Sequence, residues 1–240
     1  MSEWAMKRFW TNVTVEGAKD GHRVLLDGRR VKTPAKTDLV LPTEGLAQAV
    51  AGEWAAQEGK VDPMSMPCTR SANSAIDRVA PQRTEVAAML AAYGDSDLLC
   101  YRADAPEELI ARQAGHWDPV LDWAEEALDA RLETRTGVMH VPQDGTALAA
   151  LERRVHDFGP FHLAAFHDLV GLTGSLVLGF AAASDWRRAE EIWTLSRVDE
   201  DWQAEQWGVD EEAAELAERK RQEFLHAKRF FDLAGPSGVI

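Results

Sequence analysis

A chain of 240 residues with an apolar fraction of 45% is long enough to bury one large core or two smaller ones, so disorder is not its expected state. Forty acidic against 26 basic residues give a net charge of −14 and a pI near 4.9. Nucleic acid and anionic membranes would be repelled over most of such a surface, which excludes both as expected partners.

In chain order, MSEWAMKRFW carries neither an apolar core nor a small-residue cleavage site, so no secretion signal is expected. From Phe9 to Pro42, β-branched and aromatic residues alternate with polar ones, and turn chemistry falls at Lys19-Asp20-Gly21 and Asp27-Gly28. Asp-Gly tolerates the positive φ of a type I′ turn, which predicts a two-residue hairpin in a small antiparallel sheet. In PTEGLAQAVAGEWAAQEG, Thr43 is placed to cap a helix that Gly59 ends, with Leu46, Val50 and Trp54 on one face. Helical periodicity then recurs over 83–93, 106–132, 146–158, 161–183, 185–207 and 210–233, and 134–145 reads as a connecting loop. The expected class is α+β: a small N-terminal antiparallel β part (1–62, with one helix) followed by a larger multihelical part (63–240).

The apolar run from Leu163 to Ala183 is interrupted by His167 and Asp168 and falls short of the roughly 20 apolar residues a bilayer requires. It reads as one buried core helix, with Gly171, Ser175 and Gly179 forming a smooth face for a neighbouring helix.

Candidate chemistry is sparse. Neither G-x-x-x-x-G-K-[ST] nor G-x-G-x-x-G occurs, so no nucleotide and no cofactor is expected. His156, His162 and His167 are spaced wrongly for one helical face and predict no metal site. Cys68 and Cys100 form no C-x-x-C pair and read as reduced, partly buried thiols of a reducing compartment. Asp95, Asp97 and Cys100 share one short segment, but no adjacent base activates the thiol, and Asp95 or Ser96 reads as a helix cap. In QAGHWDPVLDW, buried tryptophans and a capping Asp118 account for the pattern.

The densest signal is WTLSRVDEDWQAEQWG, Trp193 to Gly208. A helix through it sets Ile192, Leu195, Val198 and Trp202 along a core side. Asp199, Glu200, Asp201 and Glu205 lie elsewhere on it, and the Asp201–Glu205 repulsion needs a cation opposite. A solvated acidic face and a docking surface for a basic or polar partner both fit. A small-molecule hydrolase using the Asp199–Glu205 carboxylates is the alternative, although glycosidase-type pairs stand across a cleft rather than on one helix. A purely structural oligomer subunit is a third reading. Trp54, Trp117, Trp202 and Trp207 are expected to be structural, and no residue is assigned a catalytic role.

Five ordered motifs, LDGRRVKTPAKTDLVLP, LAQAVAGEWAAQ, MPCTRSANSAID, YGDSDLLCYRADAP with QAGHWDPVLDW, and LSRVDEDWQAEQWG, span about Phe9 to Trp207. Together they resemble the ATP synthase assembly chaperones that bind the alpha subunit, the assembly factor two family. The resemblance implies a β-rich N-terminal and a helical C-terminal part, no enzymatic activity, and a partner in unassembled alpha subunit, which such chaperones shield from aggregation until beta subunit replaces them. It also implies a functional acidic position in the C-terminal helices, for which Asp199, Glu200 and Asp201 in SRVDEDWQ are candidates. Eukaryotic members are mitochondrial; with no Arg-rich presequence ahead of the first strand, a bacterial cytoplasmic protein is expected.

Overall fold

The computed structural model describes residues 7–238. The opening six residues, where no secretion signal is expected, lie outside it. The chain divides into two compact units: the first takes in 1–83, 159–165 and 229–237, the second 84–158, 166–228 and 238–240.

In the first unit, β1 (Val13–Ala18) pairs antiparallel with β2 (Gly21–Leu26), and β3 (Arg29–Arg30) and β4 (Val40–Leu41) pair with opposite ends of β2. Asp27 and Gly28 join β2 to β3 with φ of 46° and 79°, the left-handed turn expected of Asp-Gly. The Asp27 carboxylate also accepts from the Thr11 and Asn12 backbone N–H groups, and those bonds hold its pKa below the ordinary aspartate value. Gly21, at φ 140°, admits no side chain, because a Cβ there would stand 2.5 Å from the Leu41 carbonyl oxygen.

Helix α1 (Glu44–Ala55) begins at Thr43, whose hydroxyl accepts from the Leu46 N–H, as the sequence predicts. Its buried Leu46, Val50 and Trp54 face the apolar side of the sheet, where Val24, Leu26, Leu39 and Leu41 are also buried. Helix α2 (Pro67–Ser74) has no counterpart in the sequence reading. It begins where the Glu53 carboxylate of α1 accepts from the Cys68 and Thr69 N–H groups at 2.6 and 2.8 Å. This link, with the Gln57 amide that accepts from the Asp62 N–H and donates to the Ser65 hydroxyl, carries the first unit past the expected limit at residue 62 to Arg83. A π-helical turn, Ala75–Val79, follows α2 directly.

The second unit is helical. It contains all but the first residue of α3 (Arg83–Ala91), all of α4 (Glu107–Leu128) and α5 (Gly145–Asp157), and most of α6 (Pro160–Thr173). α7 (Leu176–Ala183), α8 (Ala189–Leu195), α9 (Val198–Trp207) and most of α10 (Glu211–Leu233) complete it. β5 (Tyr101–Arg102) and β6 (Arg135–Thr136), the latter inside the expected 134–145 loop, pair in parallel.

Two expected helices are in fact pairs. The run 161–183 breaks at Gly174, which takes φ 70°, and Ser175 caps α7 by accepting from the Leu178 N–H at 3.0 Å. The smooth face is correspondingly smaller. A Cβ at Gly171 would meet nothing within 4 Å, whereas one at Gly179 would meet Val170 at 2.7 Å, so the close approach is between α7 and α6. The rings of Phe158, Phe166 and Phe180 cluster there at centroid distances of 4.8 to 6.1 Å. The run 185–207 breaks at Ser196–Arg197 into α8 and α9. Asp118 does not cap a helix, since α4 continues through Pro119; it pairs with Arg102 at 2.8 Å. Among the described residues no helix is long and apolar enough to cross a membrane.

Candidate functional site

Helix α9 begins with three acids, Asp199, Glu200 and Asp201, where the partial positive charge of a helix N-terminus favours them. Gly208, at φ 92°, ends it. The four acids of this helix fall into two pairs with different surroundings. Asp199 and Glu205 face α4: Gln113 Nε2 donates to Asp199 Oδ1 at 2.7 Å, and the Arg112 guanidinium forks onto Glu205 at 2.5 and 2.8 Å. Arg112 is the cation that the Asp201–Glu205 spacing called for. It holds the Glu205 carboxyl below its ordinary range and also lies 5.8 Å from the Trp202 ring centroid. Glu200 is exposed and Asp201 half-buried, and neither bonds to α4. Glu200 has a half-exposed pair with Arg197 one turn back, and Asp201 has no ion pair or side-chain hydrogen bond among the described residues.

Glu200 and Asp201 line an open groove of about 640 Å³ whose other wall runs from Asp210 into the start of α10, as far as Glu218. Trp207 and Val209 stand at its edge with 87% and 70% of their surface exposed. The expected structural role of Trp207 therefore fails: α9 ends at this residue and its ring lies in solvent. Trp117 does lie in the core, fully buried, with its Nε1 donating to the Leu195 carbonyl at 2.8 Å. Trp54 is buried in the first unit, and Trp202 is half-buried against Arg112. Trp193, which forms part of the groove, is buried and packs on Phe224.

Sequence reasoning missed Arg112 and Gln113, which fix two of the acids, and Val209. The first two lie on α4, far from α9 in sequence, where no local pattern marks them.

The other candidate groups have structural tasks. Burial pushes both cysteine thiols up to about 12, with Glu53 adding to the effect at Cys68 and Asp97 at Cys100, so neither is a ready nucleophile. The helix-capping acid of its segment is Asp97 rather than Asp95 or Ser96: fully buried, it accepts from the Leu99 and Val177 N–H groups at 3.0 and 3.1 Å. Asp95 instead accepts from the Gln143 N–H. His156, His162 and His167 each have a partner of their own, respectively Glu152, the Gly235 carbonyl and Asp168. Among the described residues no three His, Cys, Asp or Glu side chains are grouped to hold a metal ion.

Residues 7–125 match the family model described as ATP12 chaperone protein. The chain is 24% identical over 224 residues to the mitochondrial protein atp12 of Schizosaccharomyces pombe, covering 88% of this chain and 77% of that one. It superposes on the crystal structure of Atp12 from Paracoccus denitrificans with a TM-score of 0.94 and 49% identity, over 97% of this chain and 100% of that one. A solved aspartate-to-lysine mutant of the same P. denitrificans protein gives a TM-score of 0.95 and 49% identity, over 98% and 100%. The family model ends within α4, but the likeness to the solved relatives runs through α9 and α10. By the matched model, and by near-half identity across almost its whole length, the chain belongs to the ATP12 chaperone family, in line with the ATP synthase assembly chaperones that its motifs resemble.

Proposed function

We propose that this chaperone holds unassembled ATP synthase alpha subunit, preventing its aggregation until beta subunit takes its place, and that the α9–α10 groove is a contact surface for that client. The observation that carries the proposal for this face is the exposure of Trp207 and Val209 beside Glu200 and Asp201 in an open groove. A large aromatic left in solvent at an ordered helix end, rimmed by charge, is the chemistry of a protein-contact patch. The hydrolase alternative gains nothing from the geometry, because Asp199 and Glu205 are tied to Gln113 and Arg112 rather than facing each other across a cleft. The two reduced, buried cysteines support a reducing compartment, and we place the protein in a bacterial cytoplasm.

Replacing exposed Glu200 by Lys is expected to shift stability by no more than about 0.5 kcal/mol, and replacing half-buried Asp201, whose charge acts on Arg112, by about 1 kcal/mol. The aspartate-to-lysine mutant of the P. denitrificans relative has this same fold. Suppression of alpha-subunit aggregation should weaken in each variant, more at low salt than at high salt, because the lost attraction is electrostatic. Trp207→Ala should weaken it at either salt concentration. The test pairs a thermal melt with light scattering of purified alpha subunit, alongside a pull-down of that subunit. Full protection by normally melting variants at both acids and Trp207 would remove this groove from the contact surface. Failure of the wild-type protein to retain or protect alpha subunit would overturn the client assignment itself.

A further inference from the structure

The 26 basic residues divide equally between the two units, 13 in each, but only 11 of the 40 acids fall in the first, leaving 29 in the second. The unit that carries the sheet is thus slightly basic within a strongly acidic protein, and four of its 13 basic residues line one pocket. A pocket of about 620 Å³ lies between the β3–β4 loop, α1, α2 and the π-helical turn. That volume is within the range of about 300–1,000 Å³ typical of ligand sites. Lys32, Lys36, Arg70 and Arg78 line it, over apolar surface that includes Val61 and Met66.

The one acid in the lining, Asp77, is already engaged. It accepts from the Thr33 hydroxyl at 2.7 Å and the Ala35 N–H at 3.0 Å, and so pins the loop that presents Lys32 and Lys36. Lys36 sits in that loop at φ 70°, a left-handed conformation uncommon for lysine. Arg78 and Asp77 both belong to the π turn, a geometry often found at functional sites. Two other lining side chains hold buried polar atoms with no hydrogen-bond partner among the described residues, the Trp54 Nε1 donor and the Asn73 Oδ1 acceptor.

We propose that this pocket is a second binding site, distinct from the α9–α10 groove, that takes an extended acidic peptide segment of a partner protein with apolar residues interleaved among its carboxylates. The basic rim pairs with the carboxylates, and the apolar floor takes the interleaved side chains. A peptide backbone offers both a carbonyl and an N–H, the two complements that Trp54 and Asn73 lack.

The probe is a fluorescein-labelled hexapeptide alternating Glu and Leu, followed by anisotropy on the full chain, with a Gln–Leu peptide as the uncharged control. Saturable binding of the acidic peptide is expected, at least about tenfold tighter than the control and weakened by added salt. Arg70→Glu with Arg78→Glu should weaken it by about tenfold or more, whereas Lys19→Glu with Arg29→Glu, an equal charge change outside the pocket, should alter it less than about twofold. Lys36→Gln, at an exposed loop position, supplies a second pocket variant should the charge reversal unfold the chain; it too should weaken binding. No saturable binding, equal affinity for the Gln–Leu peptide, or equal losses in the pocket and control double variants would overturn the site. Displacement of the peptide by inorganic phosphate at comparable concentration would make it a small-anion site and overturn the peptide assignment.

Discussion

Trp54→Arg is expected to lower the unfolding free energy by about 3–5 kcal/mol, a large part of the stability of an ordinary domain. Trp54 closes the apolar stripe of α1 behind Leu46 and Val50, and it is 8% exposed. Its ring meets Trp10 edge-on at 5.2 Å, so the substitution removes one ring and a packing contact of another, while the backbone carbonyl that accepts from Trp10 Nε1 remains. The pocket that Trp54 lines offers a guanidinium there a route to water, but that pocket already holds Lys32, Lys36, Arg70 and Arg78. Escape along the aliphatic stem therefore exchanges a desolvation penalty for repulsion. Trp54→Phe keeps the apolar contact and should cost about 1–2 kcal/mol. In a chain of this size each kcal/mol moves the melting temperature by about 2–4 °C, so the Arg variant should melt at least about 6 °C lower. Melting within two degrees of wild type would show that this side chain contributes little to the core.

Features specified by adjacent residues were legible in the sequence. The Asp27-Gly28 hairpin, the Thr43 cap and the apolar stripe of α1 each depend on chemistry within a few positions. Helix α2 was not legible, because its sequence PCTRSANS is mostly polar and its first N–H groups are satisfied by Glu53, a residue of the preceding helix. The breaks at Gly174 and Ser196 were hidden for another reason: apolar periodicity continues across both, and a break that keeps its residues buried leaves that pattern intact. Gly174-Ser175 did carry a local signal, a positive-φ residue followed by an N-cap, which the long apolar run obscured. The acids of α9 could be read directly, but not which of them are held in place, since Arg112 and Gln113 come from α4. Residue type misled at Trp207, where a tryptophan ends its helix in solvent.

Asp97 is the buried acid whose removal should matter most. Besides the Leu99 and Val177 N–H groups, its carboxylate takes hydrogen bonds from the Leu176 N–H and the Ser175 hydroxyl, joining the turn before β5 to the N-terminus of α7. Asp97→Ala strands these donors in a dry setting and should cost about 3–5 kcal/mol. The same burial pushes the Asp97 pKa up to about 6, against the pull of those four donors and from an ordinary 3.8. Between these two values the folded protein retains a proton that the unfolded chain has released. Asp97's contribution to stability therefore falls as pH rises from about 4 to about 6, by about 3 kcal/mol, and is level above that. Glu218, held down to about 2 by Arg221, has the opposite sign, with stability lost as pH falls below the ordinary glutamate range. The two effects separate on the pH axis and can be resolved by substitution. Urea unfolding of wild type and Asp97→Asn at pH 4.5 and pH 7 is the measurement. The Asn variant should be the less stable at both values, with the gap narrower at pH 7, because only the wild type must charge a buried carboxylate on the way up. A gap that does not change with pH would show that Asp97 has the same pKa folded and unfolded, and that its four donors offset burial completely.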